Sequence, residues 1–136
     1  MFGDRRGSAA AEFGILFPVL LTIMLGVVDV GWDAVEAQTA RAASQSGANY
    51  AIVKGFDAAG IANAVATSTL LTGVTATPAP TNTTSGCAST AGIGACSGKQ
   101  AAGTYVTVNA RASFTPILHW AGTASSFSAA TVVRIN

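Results

Sequence analysis

A chain of 136 residues has room for one compact domain and an anchor beside it. Half of the residues are apolar and only 10% are charged, and the mean hydropathy is positive, which is unusual for a freely soluble protein. The formal net charge of +1, with Arg41, Lys54, Lys99, Arg111 and Arg134 scattered, forms no patch and gives no electrostatic reason to expect nucleic acid.

Met1 to Gly7 is short, polar and basic. Phe13 to Val28 then runs without a charge, as FGILFPVLLTIMLGVV. Wound as a helix that run is about 24 Å long, and about 30 Å if carried on to Trp32, the thickness of a bilayer's hydrocarbon. Arg5 and Arg6 on one side favour a cytoplasmic N-terminus, and Trp32 suits the opposite membrane–water interface. Asp29 and Asp33 mark the exit. The expectation is a single membrane span with a periplasmic body behind it. Pro18 interrupts the span and frees the carbonyl of Gly14, which membrane helices tolerate when neighbours satisfy it. Glu12 sits at the edge of the apolar run, where a carboxylate is costly unless it reaches the headgroups.

Arg5-Arg6-Gly7-Ser8-Ala9-Ala10-Ala11-Glu12-Phe13 resembles the cleavage site of type IV-related prepilins: a glycine, four residues, a glutamate and an aromatic. The stretch from Phe13 to Ala51, ending Gly47-Ala48-Asn49-Tyr50-Ala51, resembles the TadE-like family of tight-adherence minor pilins. The likeness covers roughly the first 50 residues. It is looser in the C-terminal half, in a strand ending Phe114-Thr115-Pro116 and a final strand. The resemblance implies a prepilin peptidase cutting after Gly7 and leaving Ser8 as the new N-terminus. A glycine there lets the backbone enter a tight cleft. It further implies that Glu12, fifth in the mature chain, pairs with the N-terminal amine of an adjacent subunit. Phe13 departs from the Tyr that such pilus-subunit sites often carry.

A removed signal peptide is the alternative. Val35-Glu36-Ala37 is a passable cleavage site, although the apolar run exceeds the usual core of about 7 to 15 residues and Asp29, Trp32, Asp33 and Glu36 crowd the approach. Twin-arginine export fits less well, because Gly-Ser-Ala follows the arginines.

Beyond the span the helix is expected to continue to about Val53, since Ala is frequent and no breaker intervenes. Trp32, Val35, Thr39, Ala42, Tyr50 and Val53 share an apolar side; Gln38, Arg41, Gln45 and Asn49 share a polar one. Asp29, Asp33 and Glu36 lead into a third stripe of Ala37, Ala40, Ser44, Gly47 and Ala51. Small residues at that spacing admit a close backbone, whether of this chain or of another subunit. The acidic triplet reads as a solvated face.

Gly55 and Asp57 end the helix, and Ala58 to Leu71 suits a second, weaker one. Thr72 to Lys99 reads as loop with one strand at Gly73 to Thr77, and Asn82-Thr83-Thr84 matches a glycosylation sequon. Tyr105 to Phe114 alternates, with Val106, Val108, Ala110, Ala112 and Phe114 on one face. Phe127, Ala129, Thr131, Val133 and Ile135 repeat the pattern, after a return through Thr115 to Ser125. These apolar faces are expected to cover the apolar side of the long helix. The fold class is therefore α+β: a long N-terminal helix on a small antiparallel sheet. Cys87 and Cys96 close a short loop. In an oxidising compartment a disulfide there contributes roughly 2 to 3 kcal/mol. Zinc would need more ligands than two thiolates; the disulfide, conditional on export, is the expectation, and two reduced, unrelated thiols are the alternative.

No catalytic constellation is legible. His119 is the only histidine, beside Trp120 and remote from any acidic cluster in sequence. There is no phosphate loop, nucleophile elbow or metal-spaced ligand set, so no cofactor and no metal are expected. The organisation expected is a leader at 1–7, an anchor and extended helix at 8–54 and a periplasmic domain at 55–136. The function expected is a non-catalytic minor pilin or pseudopilin whose partners are a prepilin peptidase, other pilins or assembly-platform proteins, and the lipid bilayer. The alternatives are a membrane-tethered periplasmic binding module, or a soluble protein secreted by a cut after Ala37.

Overall fold

The computed structural model describes residues 6–89, 92–113 and 126–135, with side chains from Ala10 onward. Helix α1 runs Arg6–Lys54 and α2 Ala58–Thr67; strands β1 (Thr81–Ser89), β2 (Gly92–Gly94), β3 (Gly103–Ser113) and β4 (Ser126–Arg134) follow. The strands form one antiparallel sheet in the order β2-β1-β3-β4. A long helix on a small antiparallel sheet is the α+β class expected.

The 49 residues of α1 extend roughly 73 Å. Only the second half belongs to the body. There Ala40, Ala43, Ala48 and Ala51 are buried against Ile61 and Val65 of α2 and Val106, Val108, Ala110 and Ala112 of β3. Phe127, Ala129, Val133 and Ile135 pack on that core from β4 and its end. The alternation read from both strands is thus the core-facing one. β3 and β4 pair without a break from Tyr105↔Arg134 to Ser113↔Ser126.

The face of α1 that meets the sheet is not the one expected. The side carrying Trp32, Val35 and Val53 stays 44%, 44% and 76% exposed. The sheet and α2 cover the small-residue stripe instead. The reason is proximity: a Cβ on Gly47 would stand 2.7 Å from a Val65 methyl and 2.8 Å from a Val108 methyl. Such contact is possible only where the helix offers no side chain, so small residues select the close partner. The stripe packs within the chain. Ser44, 1% exposed, shares a 2.8 Å hydrogen bond with Thr131, which satisfies both hydroxyls at this seam.

Gly55 takes φ +81° and its N–H bonds to the Ala51 carbonyl at 2.9 Å, a left-handed stop that glycine adopts without penalty. Asp57 then caps α2, accepting from the Ala59 N–H at 3.2 Å and the Tyr50 hydroxyl at 3.3 Å. That carboxylate ties the new helix back to the old one. α2 ends at Thr67 rather than Leu71: the Ser68 N–H and hydroxyl both bond to the Val65 carbonyl. Leu70 is fully exposed, so another turn would bury nothing.

Between Thr72 and Lys99 the sequence reading is corrected. Gly73 to Thr77 contributes an isolated bridge, Thr75↔Arg111, and the strands lie in the segment whose composition suggested loop. Thr81, Asn82 and Thr83 pair with Thr107, Val106 and Tyr105. Threonine is β-branched and tolerates a pleated surface, but only an available neighbouring strand makes it one. Phe114, Pro116, His119 and Trp120, with the return from Thr115 to Ser125, lie outside the described residues.

Two stability tests follow from this packing. Gly47→Val should lower the unfolding free energy by about 1–3 kcal/mol through overpacking, read as a lower melting temperature of the full chain in detergent, with partial recovery on adding Val65→Ala. Reducing the Cys87–Cys96 pair should cost about 2–3 kcal/mol from loop closure, read as a melting temperature that falls in dithiothreitol for the parent but not for a Cys87→Ser/Cys96→Ser variant.

Candidate functional site on the bare half of the first helix

From Phe13 to Val30 the helix carries thirteen exposed large apolar side chains, among them Ile15 at 75%, Met24 at 66% and Val27 at 68%. They point in every direction round the axis. At roughly 1.5 kcal/mol or more each, leaving them in water would cost on the order of 20 kcal/mol. That exceeds the net stability of a typical domain, about 5–15 kcal/mol. The segment therefore needs an apolar surrounding. Its most apolar 18 residues have mean hydropathy 2.3 and are only 6% buried, which separates it from the core helix of a soluble protein. By length and composition this is the one described helix able to cross a membrane.

Pro18 lies inside the run, and the helix continues through it. The Thr22 hydroxyl donates to the Pro18 carbonyl at 2.8 Å, one turn further on, and not to the Gly14 carbonyl that proline frees. Thr22, Ile23, Gly26, Val27 and Val30 line an open apolar groove of about 400 Å³. Phe13 and Phe17 stack one turn apart, with ring centroids at 5.5 Å.

Gly7 and Ser8 fall in the first turn of α1, and Glu12 in the next, with an exposed side chain. Ser8 and Glu12 are four residues apart and so share a helix face. Phe13 follows immediately and begins the bare apolar surface. The residues singled out at this end thus occupy one short arc before the greasy rod.

At the other end of the rod the acidic triplet departs from the expected solvated face. Asp29 is 1% and Glu36 7% exposed, and Asp33 Oδ1 is buried without a hydrogen-bond partner among the described residues. The spacing of four and then three residues places all three on the side of Ala40, Ala43 and Gly47. Their phase with the small stripe was readable in the sequence; that this stripe would be the covered one was not. Among the described residues no three acidic, histidine or cysteine side chains converge as a metal site.

Cys87 and Cys96 lie far from this helix in the chain, on and beside the β1–β2 hairpin. Their sulfurs are 2.00 Å apart, at disulfide-bond distance, and Cys87 is 5% exposed. The pair clips the hairpin where Cys87 faces Gly94 across the ladder.

In comparison with known proteins, neither a curated protein nor a solved structure matched significantly, whereas a family model did. The match lies on α1, from the first turn with Gly7, through the bare apolar run and the buried carboxylates, to Asn49 above Gly47. Over those residues, 7–49, the chain matches the TadE-like protein family, and the resemblance read from its residues is to that family.

Proposed function

We propose that this chain is a membrane-anchored, non-catalytic minor pilin or pseudopilin that takes part in assembling a tight-adherence pilus. The observation that carries the reading is a coincidence of extents. The TadE-like match over 7–49 covers both the bare apolar helix and the small-residue stripe on which the body sits. A family defined by that segment is defined by an anchor and its junction, not by a pocket in the body.

In this reading residues 1–7 are a leader, 8–54 the anchor and extended helix, and 55–136 the remainder of a periplasmic body. A prepilin peptidase cuts between Gly7 and Ser8 on the cytoplasmic side. Removal of the basic leader exposes an amine at Ser8, and Glu12, one turn below it, supplies a carboxylate at the start of the apolar surface. In a low-dielectric surrounding that charge needs a cation. The amine of an adjacent pilin is the partner of matching charge. Other pilins or assembly-platform proteins receive the helix, and the bilayer covers it beforehand. Secretion by a cut after Ala37 fits less well. The Ala37–Gln38 bond lies inside unbroken helix, one residue past the buried Glu36.

The tests act on separate steps. Gly7→Ala should abolish maturation, leaving a membrane-held form heavier by the leader in an intact-mass spectrum. Glu12→Ala should leave cleavage and membrane insertion unchanged while cutting pilus formation at least tenfold, counted on cells; undiminished pili would remove the role given to Glu12. A mature chain beginning at Gln38 and found in the soluble fraction would overturn the whole reading.

A further inference from the structure

Between Asp57 and Lys99 the chain has no charged side chain. The middle of that stretch is surface. Thr81, Asn82, Thr83, Thr84 and Ser85, the first five residues of β1, are all exposed. β1 pairs with β3 through Thr81, Asn82, Thr83 and Gly86, whereas β2 covers only Cys87 to Ser89. The other edge of Thr81–Gly86 therefore carries no strand among the described residues. Proteins ordinarily guard such an edge with charge, proline, a bulge or a covering segment. Here charge is missing altogether, and a neutral exposed surface also weakens solubility.

The edge is irregular at one place. The register slips between Thr83 and Gly86, and Ser85 takes φ +60°, in the left-handed region few side chains adopt. Thr84 and Ser85 fall between the pairs Thr83↔Tyr105 and Gly86↔Gly103, one residue more than β3 has there, and so form the bulge. Both residues are exposed and belong to no ladder pair between β1 and β3, so an enzyme can grip them without breaking one. Segments rich in Ser, Thr and Pro are a composition associated with O-linked sugars, and Pro78 and Pro80 stand just ahead of the bulge.

We propose that Thr84 and Ser85, on the bulge of the uncharged β1 edge, are acceptors for O-linked sugar. The side-chain oxygen attacks the anomeric carbon of a lipid diphosphate-linked sugar. The new C–O bond forms as the bond to diphosphate breaks, the diphosphate leaves with the electron pair, and the hydroxyl proton passes to a base of the transferase. The sugar then hydrates and blocks the edge that charge does not guard. This rests on the periplasmic placement of the body proposed above.

The test is the intact mass and peptide map of the full chain taken from membranes of cells that make it naturally. The expected result is a mass above that of the processed chain by whole sugar residues, mapped to the Thr84–Ser85 peptide. Thr84→Val with Ser85→Gly should remove the added mass completely, and Asn82→Gln should leave it in place. Mapping the unaltered protein decides the site even if the double variant misfolds. A bare-chain mass, or sugar lost with Asn82→Gln, overturns the proposal. The N-terminal peptide in the same digest keeps the two readings apart. Ser8 first with no sugar sinks the glycan alone, whereas Gln38 first sinks the pilin reading.

Discussion

The approach of α1 to Val65 and Val108 across the missing side chain of Gly47 is the contact on which the body depends. With 2.7 and 2.8 Å to where a Cβ would stand, helix and sheet meet nearly backbone to methyl. The helix then supplies almost no apolar volume to the core. Ile61, Val65, Val106 and Val108 supply it instead, and Ala40, Ala43, Ala48 and Ala51 provide the floor. Dense packing of this kind tolerates small changes poorly in either direction. It also fixes the place of α2, whose cap at Asp57 is held by Tyr50 only three residues beyond Gly47. A Cβ on Gly60 would strike that same tyrosine and carboxylate.

That choice of small residues explains why α1 has two halves with opposite chemistry. Below, large side chains cover the helix all round and stay exposed among the described residues; above, small ones are buried while Trp32, Val35 and Val53 are left outside. A single rigid rod thus serves two solvents. Where the two regimes meet, the inward side carries Asp29, Asp33 and Glu36, and burial of Asp29 and Glu36 is nearly complete. Carboxylates removed from water need a proton, a hydrogen bond or a cation close by. Placing them on the same side as Gly47 puts that demand inside the molecule and not on its outer surface.

The β1–β2 region works by other means. Its strands bring little apolar area, and the sheet there is held by ladder bonds, by the bulge before Gly86 and by the Cys87–Cys96 clip. A hairpin with so little to bury is only marginally stable unaided. A covalent closure of short range supplies what packing does not.

An unbroken apolar run made the bare helix legible, a glycine its stop at Gly55, and periodicity the two alternating strands, because each signal is set by a single element. Val106, Val108, Ala110 and Ala112 were readable as inward in this way. The strand at Thr81–Ser89 was not. Its first five residues are exposed on both faces, so no alternation exists to be read there, and pairing with β3 makes it a strand. Leu70 misled in the opposite sense, since an apolar residue at helical spacing suggested a turn that no neighbour buries.

At the candidate site, Gly7, Ser8, Glu12 and Phe13 were marked by type and spacing, and the fold adds only that they share the first turns of one helix. By itself, then, the sequence determined the bare apolar rod, its position in the chain and the inward faces of the two long strands. The period of hydrophobicity is a property of one segment. Only the tertiary structure decided which face of the upper helix is covered, that the carboxylates share it, and that a threonine-rich stretch pairs as a strand. Those outcomes depend on how near a second element can come, and that distance is set by the small residues of one partner and the methyl groups of the other.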